Sequence, residues 1–224
     1  MSDRALVVFV KHPAPGAVKT RLAAAIGPAA ADLYRALAEH VLEATTPAGG
    51  EYERLVFFDP PEAREEMRAW LPGVRLLAQS DGDLGARMSD AVGRAFARGA
   101  SRVAVVGTDA PGLSRDTVVA ALEALDAADV VIGPTEDGGY YLVALREPRP
   151  ELFAGVAWST PSVAAETRAR SAAAGLAVRE LPVLRDVDTV EDVRLAWPAL
   201  RELLAGRPRL RDSIEEALTA LPPA

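Results

Sequence analysis

The sequence predicts an α/β fold with a mostly parallel sheet covered by helices on both faces. Three observations carry this expectation. Short apolar runs alternate with helix-period segments through the first 125 residues, the pattern of βαβ units with right-handed crossovers. Runs such as ALVVFV (5–10) and RVAVVG (102–107) are continuously apolar, as central strands covered on both sides are. Residues 129–145 then break the pattern. Two strand-like runs flank TEDGG with no room for a crossover helix, which predicts an antiparallel pairing or a divergence of the two.

Taken in order, strands are expected at 5–10, 54–58, 74–78, 102–107, 129–133, 139–145 and 177–181. A helix carrying Arg21 follows the first loop, and Pro28 after Gly27 starts another that runs to about Ala44. Leu33, Leu37 and Val41 share one face of it. Helices follow at Leu84–Arg98, Arg115–Leu125 and Ser162–Ala174, with Ser114 and Thr160 as N-caps and Gly99 and Gly175 as C-terminal stops. Pro198 should kink or split the segment after Val190. Residues 208–221 read as a last amphipathic helix, packed on this domain or on a neighbouring copy in a homodimer. No linker or repeat interrupts the 224 residues, so a single domain, 1–224, is expected.

Composition excludes several classes. The chain has no cysteine, hence no disulfide framework or thiolate metal site. Its formal charge of −7 opposes a general nucleic-acid binder, though a local basic pocket for a small polyphosphate remains compatible. No stretch approaches a membrane span and no signal-peptide pattern opens the chain, so a soluble, cytoplasmic protein is expected. No zinc, EF-hand or GxSxG pattern occurs. His40 lies among apolar helix residues and reads as structural, while His12 has at most a phosphate to touch.

The chemistry concentrates where strands end, the place at which open parallel sheets bind ligands. The only lysines, Lys11 and Lys19, both lie in KHPAPGAVKTRLA (11–23), together with Gly16 and Arg21. A strand, a Pro/Gly loop with ammonium groups and a helix start suit phosphate. The loop is neither a Walker A nor a GxGxxG motif. In QSDGDLGARM (79–88), Gln79 suits a base edge and Arg87 a phosphate; a plain glycine turn with Asp83 as helix cap is the other reading. VGTDAPGL (106–113) ends a buried strand on Thr108 and Asp109. A carboxylate there needs a positive partner, and Mg²⁺ or Mn²⁺ bridging phosphates is a natural one. A turn role for Asp109 is the alternative. LRDVDTVEDV (184–193) offers Asp186 and Asp188 to complete that site, with helix capping as the plainer role for Asp188. In GPTEDGGYYLVAL (133–145), Glu136 and Asp137 suit general-base work on a hydroxyl, and Gly138 and Gly139 admit a sugar or acceptor close to the backbone; a plain β-turn is the alternative.

Together, KxPxPGxVKTRL, GDLGxRM, VGTDxPGL, GPxxDGGYYL and DVDTxEDV resemble a bacterial family of glycosyltransferase-like proteins, formerly uncharacterised domain family 2064. Its members are described as nucleotide-diphospho-sugar transferases of the GT-A type, some tied to arsenosugar biosynthesis. The resemblance covers residues 5–193 and extends more loosely to 2-phospho-lactate and molybdenum-cofactor guanylyltransferases. It implies a Rossmann-like GT-A three-layer α/β/α sandwich. It also implies that Lys11, Lys19 and Arg21 hold nucleotide phosphates, that Asp109 and Asp188 hold the metal, and that Gly138 and Gly139 line the sugar or acceptor side. Asp109 stands in TDAP where GT-A enzymes carry Asp-x-Asp; Asp186-Val187-Asp188 spells that motif, but after the last strand.

Three functions are compatible with this reading. The first is glycosyl transfer from a nucleotide-diphosphate sugar to a small hydroxyl acceptor, with Asp137 or Glu136 as base. The second is nucleotidyl transfer with release of pyrophosphate, which the three cations of the first loop favour. The third is nucleotide binding without turnover. The first two require that the basic loop and Asp109 share one cleft.

Overall fold

The computed structural model describes residues 3–221. One seven-stranded sheet has the order β3-β2-β1-β4-β6-β5-β7. Its strands are β1 (Arg4–Lys11), β2 (Glu53–Asp59), β3 (Leu76–Ala78), β4 (Arg102–Val106), β5 (Val130–Pro134), β6 (Tyr140–Leu145) and β7 (Val178–Glu180). Neighbours pair in parallel except at β6, which runs antiparallel to both β4 and β5. The expected break at 129–145 is therefore a hairpin.

Each central strand feeds two cores, as period-two side-chain alternation requires. Leu6, Val8, Val56, Phe58, Ala104 and Val106 face one helix layer. That layer is α2 (Ala29–Ala44), α3 (Arg64–Trp70) and α5 (Arg115–Ala124), through Ala38, Val41, Met67, Val118 and Leu122. Val7, Leu55, Phe57, Val103 and Val105 face α4 (Leu84–Ala97), through Met88, Ala91, Val92 and Ala95. A third apolar cluster joins α1 (Thr20–Ile26) and the outer side of α2 to α7 (Val190–Leu203) and α8 (Pro208–Ala220), with Leu22, Leu33, Val193 and Ile214 buried in it. The C-terminal amphipathic helix thus covers its own domain. The remaining helix, α6 (Val163–Ala173), packs near β5 and β7.

Several local expectations change. Helix α7 runs through Pro198 unsplit; its N-terminus is secured by a Thr189–Asp192 capping box, and Leu200 beyond the proline is buried. Ser114 caps α5 as expected, whereas α6 begins after Ser162 without a side-chain cap, and the Thr160 hydroxyl donates to the Ala157 carbonyl instead. Helix α3 was not expected from the sequence. Only Met67 of its residues is buried, with Trp70 packed half-buried beside the same core, so two apolar side chains rather than a full stripe anchor it.

Candidate active site

The parallel strands end at one edge of the sheet, and β6, running the other way, begins there. Along this edge lies a cleft of about 710 Å³. The sheet order divides it. Loops after β1 and β3 form one half, and those at β4, β5 and β6 the other.

Lys19 joins the halves. It sits in the left-handed region (φ 49°) just before α1, a conformation that costs a non-glycine residue about 1–3 kcal/mol. Its side chain is 4% exposed and reaches Asp109 Oδ1 at 2.5 Å and Asp188 Oδ1. Burial alone would push its pKa down, but the two carboxylates outweigh this and raise it well above the ordinary lysine value. The ammonium therefore stays charged. Backbone pairing explains the convergence: the Val187 N–H donates to the Asp109 carbonyl at 2.9 Å, which brings the segment before α7 against the end of β4. Asp188 does not cap α7 with its side chain. Thr189 and Asp192 do that, leaving the Asp188 carboxylate for Lys19.

Tyr34, from α2, braces the floor. It is buried, and its hydroxyl accepts from the Lys11 backbone N–H at 2.7 Å and from Thr108 Oγ1 at 3.3 Å. Burial and nearby Asp109 push its pKa to about 12, so it stays protonated. Thr108 is thereby a buried structural link that also borders the cleft.

Of the phosphate-loop candidates, Lys11, Lys19 and Arg21 line the cleft, and Gly16 does not. Gly16 has φ 80° with open space around it, so it makes the turn instead of admitting a ligand. Neither the Lys11 ammonium nor the Arg21 guanidinium has a counter-ion among the described residues. Gln79 is buried and its amide donates to the Phe57 carbonyl at 3.1 Å. Arg87 pairs with Asp59 at 3.0 Å, and Asp83 caps α4. Both Gln79 and Arg87 still border the cleft.

The β5–β6 turn separates the remaining candidates. Asp137 lines the cleft, with Oδ1 accepting from Thr135 Oγ1 at 2.6 Å and from the Gly139 N–H at 2.9 Å. Glu136 lies outside the cleft lining and pairs with Arg185. Gly138, at φ 90°, is needed by the chain itself: a Cβ there would collide with the Pro161 carbonyl. A Cβ on Gly139 would stand 3.0 Å from Thr135 Oγ1. Asp186 also enters the cleft; burial first, then Asp137 and Asp188, raise its pKa to about 6.

Sequence reasoning missed Tyr34, Asp59 and the Trp158–Ser159–Thr160 segment, which line or brace the cleft. A buried-face tyrosine and a Trp-Ser-Thr run ahead of a helix were the available signals.

Among the described residues, no three His, Asp, Glu or Cys side chains are grouped to hold a metal ion. Asp109 and Asp188 nevertheless converge on one cation, the Lys19 ammonium, while 43% and 46% exposed. Two carboxylates with room for phosphate and water fit Mg²⁺ or Mn²⁺, which take few protein ligands.

This sheet order, with its cleft at the strand ends, is a nucleotide-diphospho-sugar-transferase-like fold of the GT-A type. The DUF2064 family model, described as uncharacterized protein conserved in bacteria, matches residues 42–160, and the chain belongs to this family. It is similar to a candidate nucleotide-diphospho-sugar transferase from Desulfovibrio desulfuricans G20: 33% identity, a TM-score of 0.86, and coverage of 96% of this chain and 99% of the other. It is also 33% identical over 142 residues to a phosphoenolpyruvate guanylyltransferase from Chloroflexus aggregans, covering 60% of this chain and 69% of the relative. Rv0371c of Mycobacterium tuberculosis H37Rv, solved with manganese, shares the fold at 16% identity, a TM-score of 0.52, and coverage of 86% of this chain and 96% of that one. The two relatives at 33% identity are of transferase type, and so is this chain. Among the described residues no helix is long and apolar enough to cross a membrane.

Proposed function

We propose that the protein transfers a sugar from a nucleotide-diphosphate sugar to a small hydroxyl acceptor, with Mg²⁺ or Mn²⁺. The observation that carries this reading is the Asp137 carboxylate, held in the cleft by Thr135 and Gly139 at the β5–β6 turn. A hydroxyl nucleophile needs a base, whereas a phosphate or carboxylate nucleophile arrives ionised. Lys11 and Arg21, without counter-ions among the described residues, bind the diphosphate and stabilise charge as it departs. Asp109 and Asp188 would hold the metal, which when bound supplies further charge neutralisation on phosphate oxygens. Lys19 keeps these carboxylates together.

Product analysis tests the reading. Incubation with nucleotide sugars and a mixture of hydroxyl acceptors is expected to release nucleoside diphosphate. Release of pyrophosphate from a nucleoside triphosphate, with none of the former, would refute it. That outcome defines the second reading, nucleotidyl transfer, which the guanylyltransferase relative and the unpaired Lys11 and Arg21 favour. There the acceptor would be an anion such as phosphoenolpyruvate.

A further inference from the structure

We propose that the β5–β6 half of the cleft, where it closes on the first turn of α4, is an aromatic subsite without a basic side chain, in which Trp158 and Tyr140 seat the ring of a neutral sugar. The inference rests on the cleft binding a nucleotide in its other half and names what lies beyond the phosphates. Charge is the first observation. The basic side chains lining the cleft are Lys11, Lys19, Arg21 and Arg87. Lys19 is taken by Asp109 and Asp188, and Arg87 turns toward Asp59 at the end of β2. Among the described residues the lining at β5 and β6 carries Asp137, with Asp186 nearby, and no basic side chain, and Arg185 is turned to Glu136. An anionic ligand has no cation to meet there, and it would face a carboxylate.

Shape is the second observation. Trp158 and Tyr140 meet edge to face, with centroids 6.3 Å apart and planes at 87°, and both border the cleft. Ser159 and Thr160 add hydroxyls beside the indole. An aromatic ring next to hydroxyls and a carboxylate offers a sugar both its apolar face and its hydrogen bonds.

The cost of holding Trp158 there is the third observation. Its Nε1 is the buried side-chain polar atom without a hydrogen-bond partner among the described residues. An unmet N–H is a penalty that a phenylalanine would avoid. The next residue, Ser159, is in the left-handed region at φ 62°. Gly85 makes room: a Cβ on it would stand 2.8 Å from Nε1. Gly138 lets Pro161, three residues beyond Trp158, lie against the β5–β6 turn. The segment is held in place against local preference, with its indole bordering the cleft.

Saturation-transfer NMR on the full chain tests this. One arm uses methyl glucoside, methyl galactoside and methyl mannoside with UDP or GDP and Mg²⁺. A second uses UDP-glucose and GDP-mannose, and a third uses phosphoenolpyruvate. Neutral rings are expected to receive saturation, falling at least five-fold in Trp158→Ala and less in Trp158→Phe, which keeps a ring and guards against misfolding. Loss confined to the glycosides assigns the subsite to the acceptor. A ten-fold weakening of the nucleotide sugars relative to UDP and GDP assigns it to the donor sugar. Neutral rings that ignore both Trp158 variants in both arms, or Trp158-dependent binding of phosphoenolpyruvate, would overturn the proposal. Failure of UDP and GDP to bind, with ring saturation intact, would instead sink the nucleotide reading alone.

Discussion

Removing the charges around Lys19 from opposite sides should have unequal costs. The Lys19 side chain is 4% exposed, against 43% for Asp109 and 46% for Asp188. Asp109→Asn with Asp188→Asn strands a desolvated ammonium, and breaking a buried pair from that side costs about 3–5 kcal/mol. Lys19→Met leaves two carboxylates that water already reaches, so screening holds the cost to about 1 kcal/mol. For a chain of this size that means a Tm lower by roughly 6–20 °C for the double variant and roughly 2–4 °C for Lys19→Met. Urea unfolding at neutral pH would separate the two. The sign of the pH dependence gives a second readout. In the wild type the Lys19 pKa is raised, so the pair's contribution is complete below the unfolded lysine value of 10.5 and fades only as pH rises beyond it. In the double variant burial acts alone and lowers that pKa, so stability should climb between about pH 7 and 10. Equal costs from the two sides, or a flat pH profile in the double variant, would refute the picture of a buried cation held by half-exposed anions.

The other expected outcomes concern the cleft and its supports. Lys11→Ala and Arg21→Ala should each weaken nucleoside diphosphate binding about ten-fold or more in calorimetry while leaving Tm unchanged, because each removes a charge that pairs with no carboxylate among the described residues. Asp137→Asn should lower turnover by about 10²–10⁴-fold with nucleotide affinity retained, measured by product release. Gly138→Ala combines a positive φ of 90° with a clash at the Pro161 carbonyl, and should cost roughly 2–4 kcal/mol in urea unfolding. Glu39 anchors α8: burial alone would raise its pKa, but bonds from Trp70, Arg207 and Arg35 outweigh this and hold it low. Its contribution is present above the unfolded glutamate value and lost as pH falls below it, so Glu39→Gln should flatten stability between about pH 5 and 3.

Much of the sheet was legible because a strand covered on both faces leaves its mark locally. Apolar runs at 5–10 and 102–107, and the turn residues between 133 and 139, determine strand, hairpin and the strand ends where Lys11, Asp109 and Asp137 must lie. Sequence by itself also determined that the cations of the first loop stand apart, since no other lysine exists in the chain. Only the tertiary structure decided what each group touches. Lys19 meets Asp188 across 169 positions of chain, Gly138 is spent on Pro161, Glu136 turns out to Arg185, and Tyr34 ties β1 to β4. Those pairings follow from which loops the sheet order sets side by side, and spacing along a chain carries no record of distance across a cleft.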